Sequence, residues 1–156
     1  MTNQEIFDKI WERAKTKKKA EVNGLCEYRS KKGKLACFIG YLIPDELYDK
    51  RIEENSISSI NDKFDDLKSN DSFKQKNIVT RFEEYSKFRY VQTEKSRDGE
   101  VSLLKILLNG LKIKVTQLKF LEELQTIHDN CDTKDWEEEL VLVAKGHRLK
   151  VPKNLN

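Results

Sequence analysis

The sequence predicts an α+β fold: a mainly helical single domain with a small β-hairpin in its N-terminal third. Three observations predict it. Apolar residues recur at helical spacing over most of the chain, beginning with Ile6, Phe7, Ile10, Trp11 and Ala14, a pattern that puts them on one buried stripe. Residues 25–30 and 34–40 are short runs flanking Lys31, Lys32 and Gly33, a spacer of hairpin length whose glycine can supply a positive φ. At 156 residues the chain has the length of one ordinary domain with one core.

Taken in order, Thr2 or Asn3 can cap the first helix, which ends in the lysines at 17–19 where cations suit the carbonyl end. Asn23-Gly24 reads as a turn. In the hairpin that follows, alternation sends Cys26 and Tyr28 to one face and Glu27 and Arg29 to the other. Pro44 then suits the first turn of a helix over 44–54, with Leu47, Tyr48 and Ile52 inward. Another helix starts near Ser58 or Ser59 and carries Ile60, Phe64 and Leu67.

Residues 73–99 read as a surface insertion: a helix through Ile78, Val79, Phe82 and Tyr85, a short strand through Phe88, Tyr90 and Gln92, and a turn at Asp98-Gly99. An apolar helix over 101–108 stops at Asn109-Gly110. Thr116 is the expected cap of a helix over 116–129, whose stripe holds Leu118, Leu121, Leu124, Gln125 and His128. Thr133 is the expected cap of the last helix, 134–145, with Trp136, Leu140, Val143 and Ala144 inward, and residues 151–156 form a loose tail.

Thirty basic residues against 27 acidic ones leave a net charge of +3, too near balance to indicate nucleic-acid binding by global charge. The basic residues at 15–19 and 29–34 are nevertheless concentrated in the first quarter, which suits an anionic ligand or an acidic partner there. Three cysteines cannot all pair within one chain, and no apolar leader follows Met1, so a reducing, cytoplasmic setting is expected. No apolar run is long enough to span a bilayer.

No Gly-x4-Gly-Lys-Ser/Thr, Gly-x-Gly-x-x-Gly, His-Glu-x-x-His or Gly-x-Ser-x-Gly pattern occurs, which counts against P-loop, dinucleotide and common hydrolase chemistry. Two polar clusters stand out. Tyr28 and Arg29 beside Lys31 and Lys32 offer an aromatic flanked by cations, suited to stacking on a base while contacting phosphate. Gln125, His128 and Asp129 fall within little more than one helical turn and form a polar tip. The bland readings are an exposed lysine hairpin and a histidine satisfying the end of its helix. The cysteines read first as buried thiols. A structural zinc on Cys26, Cys37, His128 and Cys131 is the alternative, though their spacing matches no common zinc pattern.

The runs Cys26-Glu27-Tyr28-Arg29, 35–40 (LACFIG), 42–49 (LIPDELYD) and 124–129 (LQTIHD) together resemble a family of small proteins of bacteria and their phages with no established activity. The resemblance covers the first third and the last quarter, and departs at Glu54-Asn55, where a glycine would be expected. It implies a setting, not a reaction, and no residue role.

The sequence therefore predicts a non-enzymatic binding or regulatory protein, phage-associated, acting on a host protein or an anionic nucleotide-like ligand. Its expected ligand-binding residues are Tyr28, Arg29, Lys31, Lys32, Gln125, His128 and Asp129, with no cofactor and no membrane. The competing expectation is a small hydrolase or transferase using Cys26 or His128.

Overall fold

The computed structural model describes residues 1–22, 25–30, 35–53, 55–69, 78–89 and 94–152. Helix α1 (Asn3–Ala14) opens on a capping box: Thr2 Oγ1 accepts from the Glu5 amide at 3.2 Å and Glu5 Oε2 accepts from the Thr2 amide at 2.7 Å. Two donors that the helix leaves unpaired are thereby satisfied, and the expected stripe from Ile6 to Ala14 is buried.

The predicted hairpin over 25–40 does not form, and the fold is mainly helical rather than α+β. Among the described residues, β structure is limited to a two-residue antiparallel pair, β1 (Glu21–Val22) with β2 (Leu25–Cys26), and an isolated bridge between Arg29 and Ala36. The apolar return run becomes helix α2 (Phe38–Leu42) instead of a strand. Cys37 turns the chain there, its Sγ accepting from the Gly40 amide at 3.3 Å. Lys31, Lys32 and the Gly33 turn lie outside the described residues, as does Asn23-Gly24.

The helix expected over 44–54 is replaced by two 3-10 turns, Asp45–Leu47 and Lys50–Ile52. Extended backbone at Tyr48 and Asp49 separates them, and the Asp49 carboxylate caps the second by accepting from the Arg51 amide at 2.9 Å. Helix α3 (Ile57–Ser69) buries Ile57, Ile60 and Phe64. Helix α4 (Ile78–Arg89) runs through Phe88, which was expected in a strand; Tyr90 and Gln92 lie outside the described residues.

Asp98-Gly99 is not a turn but part of helix α5 (Glu94–Lys105). A glycine is needed there because a Cβ would stand 2.2 Å from the Arg51 carbonyl oxygen. A single π-helical turn, Ile106–Gly110, ends this segment. Gln117, not Thr116, organises the start of α6 (Leu118–Asn130): its Oε1 accepts from the Lys114 amide at 2.8 Å. Helix α7 (Trp136–Gly146) likewise starts at Asp135 without the expected Thr133 cap.

Helix α6 is the central element, packing against α2, α3 and α7, while α1 closes over α2 and α7. Phe38, Trp11, Trp136, Phe120 and the leucines of α6 form the core. Lys63 of α3 and Glu100 of α5 form an ion pair inside the protein, their side chains 4% and 1% exposed. No helix among the described residues is long and apolar enough to cross a membrane.

Candidate functional site

Two loci lie back to back on the extended segment 26–30. Alternation sends Cys26 and Tyr28 toward α6, while Arg29 points the other way into a surface cleft.

On the inner side, Cys26 Sγ lies 3.5 Å from His128 Nδ1, and Asp129 Oδ1 lies 3.0 Å from the same nitrogen. His128 is 1% exposed. Its ring stacks on Trp136 at 5.3 Å and meets Phe38 edge-on at 5.1 Å, so α2, α6 and α7 converge on it. Its Nε2 has no hydrogen-bond partner among the described residues. The neighbouring Cys37 sulfur, together with burial, pushes the Cys26 thiol far above its ordinary range. Burial pushes the enclosed Tyr28 phenol well up too, with the Gln125 amide opposing the shift. Gln125 Oε1 itself accepts from the Ile57 amide at 3.1 Å, satisfying a donor at the start of α3.

This arrangement differs from that of a nucleophilic thiol. A working series has the thiol and the carboxylate on opposite ring nitrogens, so that one orients the base for the other. Here both crowd one nitrogen, the thiol stays protonated and the imidazole is closed off from any substrate. Cys26 Sγ, a His128 ring nitrogen and an Asp129 oxygen nonetheless lie within 4.8 Å of one another, a ligand set of the kind metals take. Cys131 is not in that group; burial first, and then the charges of Glu139 and Asp135, raise its thiol.

The outer locus is a cleft of about 540 Å³ between the end of α1, the 29–36 bridge and α2, whose wall includes Arg13, Lys18, Arg29, Ala36, Tyr41 and Asp45. Arg13 projects from the buried stripe of α1. Its Nε donates to the Ala36 carbonyl at 2.7 Å, one terminal nitrogen to the Lys18 carbonyl at 2.8 Å and the other to Thr16 Oγ1. Its partners are neutral oxygens throughout, and it has no carboxylate partner among the described residues. Burial accordingly lowers its pKa, yet an arginine remains charged at neutral pH.

Arg29 is held more firmly: its guanidinium bonds Asp45 and the Ile43 carbonyl and lies 5.0 Å over the Tyr48 ring. Glu53 fixes the backbone beneath, accepting from the Tyr28 and Arg29 amides at 2.8 and 3.0 Å and from the Tyr48 hydroxyl at 2.7 Å. Burial first, and then Glu53, raise the Tyr48 phenol.

Of the residues expected from sequence, the structure brings Tyr28, Gln125, His128 and Asp129 to the inner locus. It puts Arg29 on the cleft, and Lys31 and Lys32 lie outside the described residues. Sequence reasoning missed Arg13, Tyr41 and Glu53, while Lys18 lies in the basic run at 15–19 expected to suit an anionic ligand. For Arg13 a signal existed: it stands seven residues after Ile6 and three after Ile10, an arginine on an otherwise apolar stripe. The chain matches no protein-family model, no curated protein and no solved structure.

Proposed function

We propose that the chain is a non-enzymatic binding protein of the cytoplasm that takes an anionic, nucleotide-like ligand into the Arg13–Tyr41 cleft. The observation that carries this reading is Arg13, a buried guanidinium bonded to neutral oxygens alone in the wall of an open cleft. An uncompensated buried cation is unfavourable, and an anion bound in the cleft offsets it. Exposed Lys18 adds a second charge at the rim. Tyr41, 48% exposed on the same wall, offers a face on which a base can stack. Arg29 contributes less charge because Asp45 already pairs with it.

Three unpaired thiols, Cys26, Cys37 and Cys131, support a reducing compartment. The bacterial and phage setting implied by the sequence motifs belongs to the same proposal, with a host molecule as the target.

Thermal unfolding in the presence of inorganic phosphate, nucleosides and nucleoside mono- and triphosphates tests it. A ligand at about 100 times its Kd stabilises by about 2.7 kcal/mol, which for a domain of this size raises Tm by about 5–10 °C. Nucleotides should do this and the phosphate-free nucleosides should not. No shift with any nucleotide at millimolar concentration overturns the reading, and turnover of a nucleotide in the same incubations would make the chain an enzyme.

A further inference from the structure

We propose that Cys26, His128 and Asp129 form a binding site for a thiophilic divalent cation, zinc being the common one, where β2 meets the C-terminal end of α6. This rests on the inner locus and is independent of the cleft.

The lone pairs of the cluster carry the inference. His128 Nδ1 is approached by Cys26 Sγ at 3.5 Å and by Asp129 Oδ1 at 3.0 Å. Without a cation, an Nδ1–H donates to the Asp129 carboxylate, and the Cys26 thiol, a weak donor, has the Glu27 carbonyl at 3.9 Å. That tautomer leaves Nε2 a bare acceptor beside the rings of Phe38 and Trp136. A cation at the point where the three ligand atoms converge would bond all of them at once. It takes the Nδ1 lone pair, the carboxylate and the thiolate as ligands, and the ring proton moves to Nε2, beside the rings of Phe38 and Trp136.

The dimensions agree. With zinc bonds of about 2.3 Å to sulfur and about 2.0–2.2 Å to nitrogen and oxygen, a tetrahedral site has ligand–ligand edges of about 3.4–3.6 Å. The sulfur–nitrogen edge is already 3.5 Å and the nitrogen–oxygen edge 3.0 Å, and all three atoms lie within 4.8 Å of one another. Three protein ligands leave the fourth tetrahedral position to water, as in open zinc sites. Cys37 Sγ is not one of the converging atoms; it accepts from the Gly40 amide at 3.3 Å. The Asp129 side chain is about one-third exposed, at 31%, which gives the ion a route from solvent. On binding, the thiol proton of Cys26 is released to water, and the ion fastens β2 to the C-terminal end of α6.

Cobalt titrated into chelator-stripped, fully reduced protein tests the site, with zinc content measured on protein purified without chelator. Stoichiometric zinc is expected, as are thiolate-to-cobalt charge transfer and tetrahedral cobalt absorption. Cys26→Ser and Asp129→Asn should each weaken cobalt binding by at least the roughly 10- to 100-fold that loss of an outer contact costs, because each removes a direct ligand. Cys131→Ser should bind like the wild type. Because Asp129 is partly exposed, its variant keeps the test informative even where Cys26→Ser fails to fold. Substoichiometric metal in reduced protein, a cobalt spectrum without thiolate character, a Cys26–Cys37 disulfide in place of metal, or equal losses in Cys131→Ser and Cys26→Ser would each overturn the proposal.

Discussion

The carbonyl oxygen of Tyr28 lies so close under Gly40 that a Cβ at that position would stand 1.9 Å from it. The Cys37 amide donates to the same oxygen at 3.3 Å. The first turn of α2 is thus pressed onto the extended segment whose two faces carry the inner cluster and the cleft. The obstructing atom belongs to the backbone, so it cannot swing away. Gly40→Ala is expected to destabilise by about 2–4 kcal/mol, read as a lower urea midpoint with little change in slope. A midpoint within error of the wild type would mean that α2 is not seated this way.

The Lys63–Glu100 pair yields a second prediction. Removing one partner strands a buried charge, and Lys63→Ala should cost about 3–5 kcal/mol. Replacing both, as in Lys63→Met with Glu100→Leu, should recover most of that loss because neither charge then needs solvation. A double variant as unstable as the single would show that the ion pair itself, and not the orphaned charge, dominates.

Acid sensitivity is expected at Asp49. Its carboxylate accepts from the Arg51 guanidinium at 2.6 Å and from Ser102 Oγ at 3.1 Å, and Arg51 holds its pKa down to about 2. The folded value lies below the ordinary 3.8, so the stabilisation is complete above that pH and is lost as the pH falls toward 2. Urea midpoints measured across this window should fall more steeply for the wild type than for Asp49→Asn. Parallel curves would remove Asp49 from the acid response.

Cys26 should behave as a suppressed thiol in chelator-stripped protein. Its neighbour Cys37 and burial hold it protonated at neutral pH. Alkylation of Cys26, followed by peptide mass spectrometry, is expected to be slow and still rising with pH at about pH 9. A rate that levels off near neutrality would reveal a ready thiolate and favour the nucleophile reading.

Helices with a clear stripe were legible in the sequence. Thr2, one of the two expected caps, opens α1, and Leu118 to His128 and Trp136 to Ala144 lie on the faces their spacing assigns. Alternation also separated Cys26 and Tyr28 from Arg29 correctly. What could not be read was where short apolar runs coil. Residues 35–43 are so uniformly apolar that neither period 2 nor period 3.6 stands out, and a sulfur acceptor on Cys37 decides for a helix. The turn chemistry of Asp98-Gly99 was overridden by the Arg51 carbonyl, which requires a residue without a side chain inside α5. The cleft depends on carbonyl oxygens of Lys18 and Ala36 meeting Arg13, contacts that no spacing rule encodes.

Calorimetric titration of the most stabilising nucleotide into the wild type, Lys18→Glu and Tyr41→Ala tests the central claim most directly, because both side chains line the cleft and are exposed. Loss of a stacking face is worth about 1–3 kcal/mol per base, so Tyr41→Ala should weaken binding about 5- to 100-fold. Lys18→Glu should weaken it as well, by a factor that shrinks as salt is raised. Unaltered affinity in both folded variants would contradict binding in this cleft.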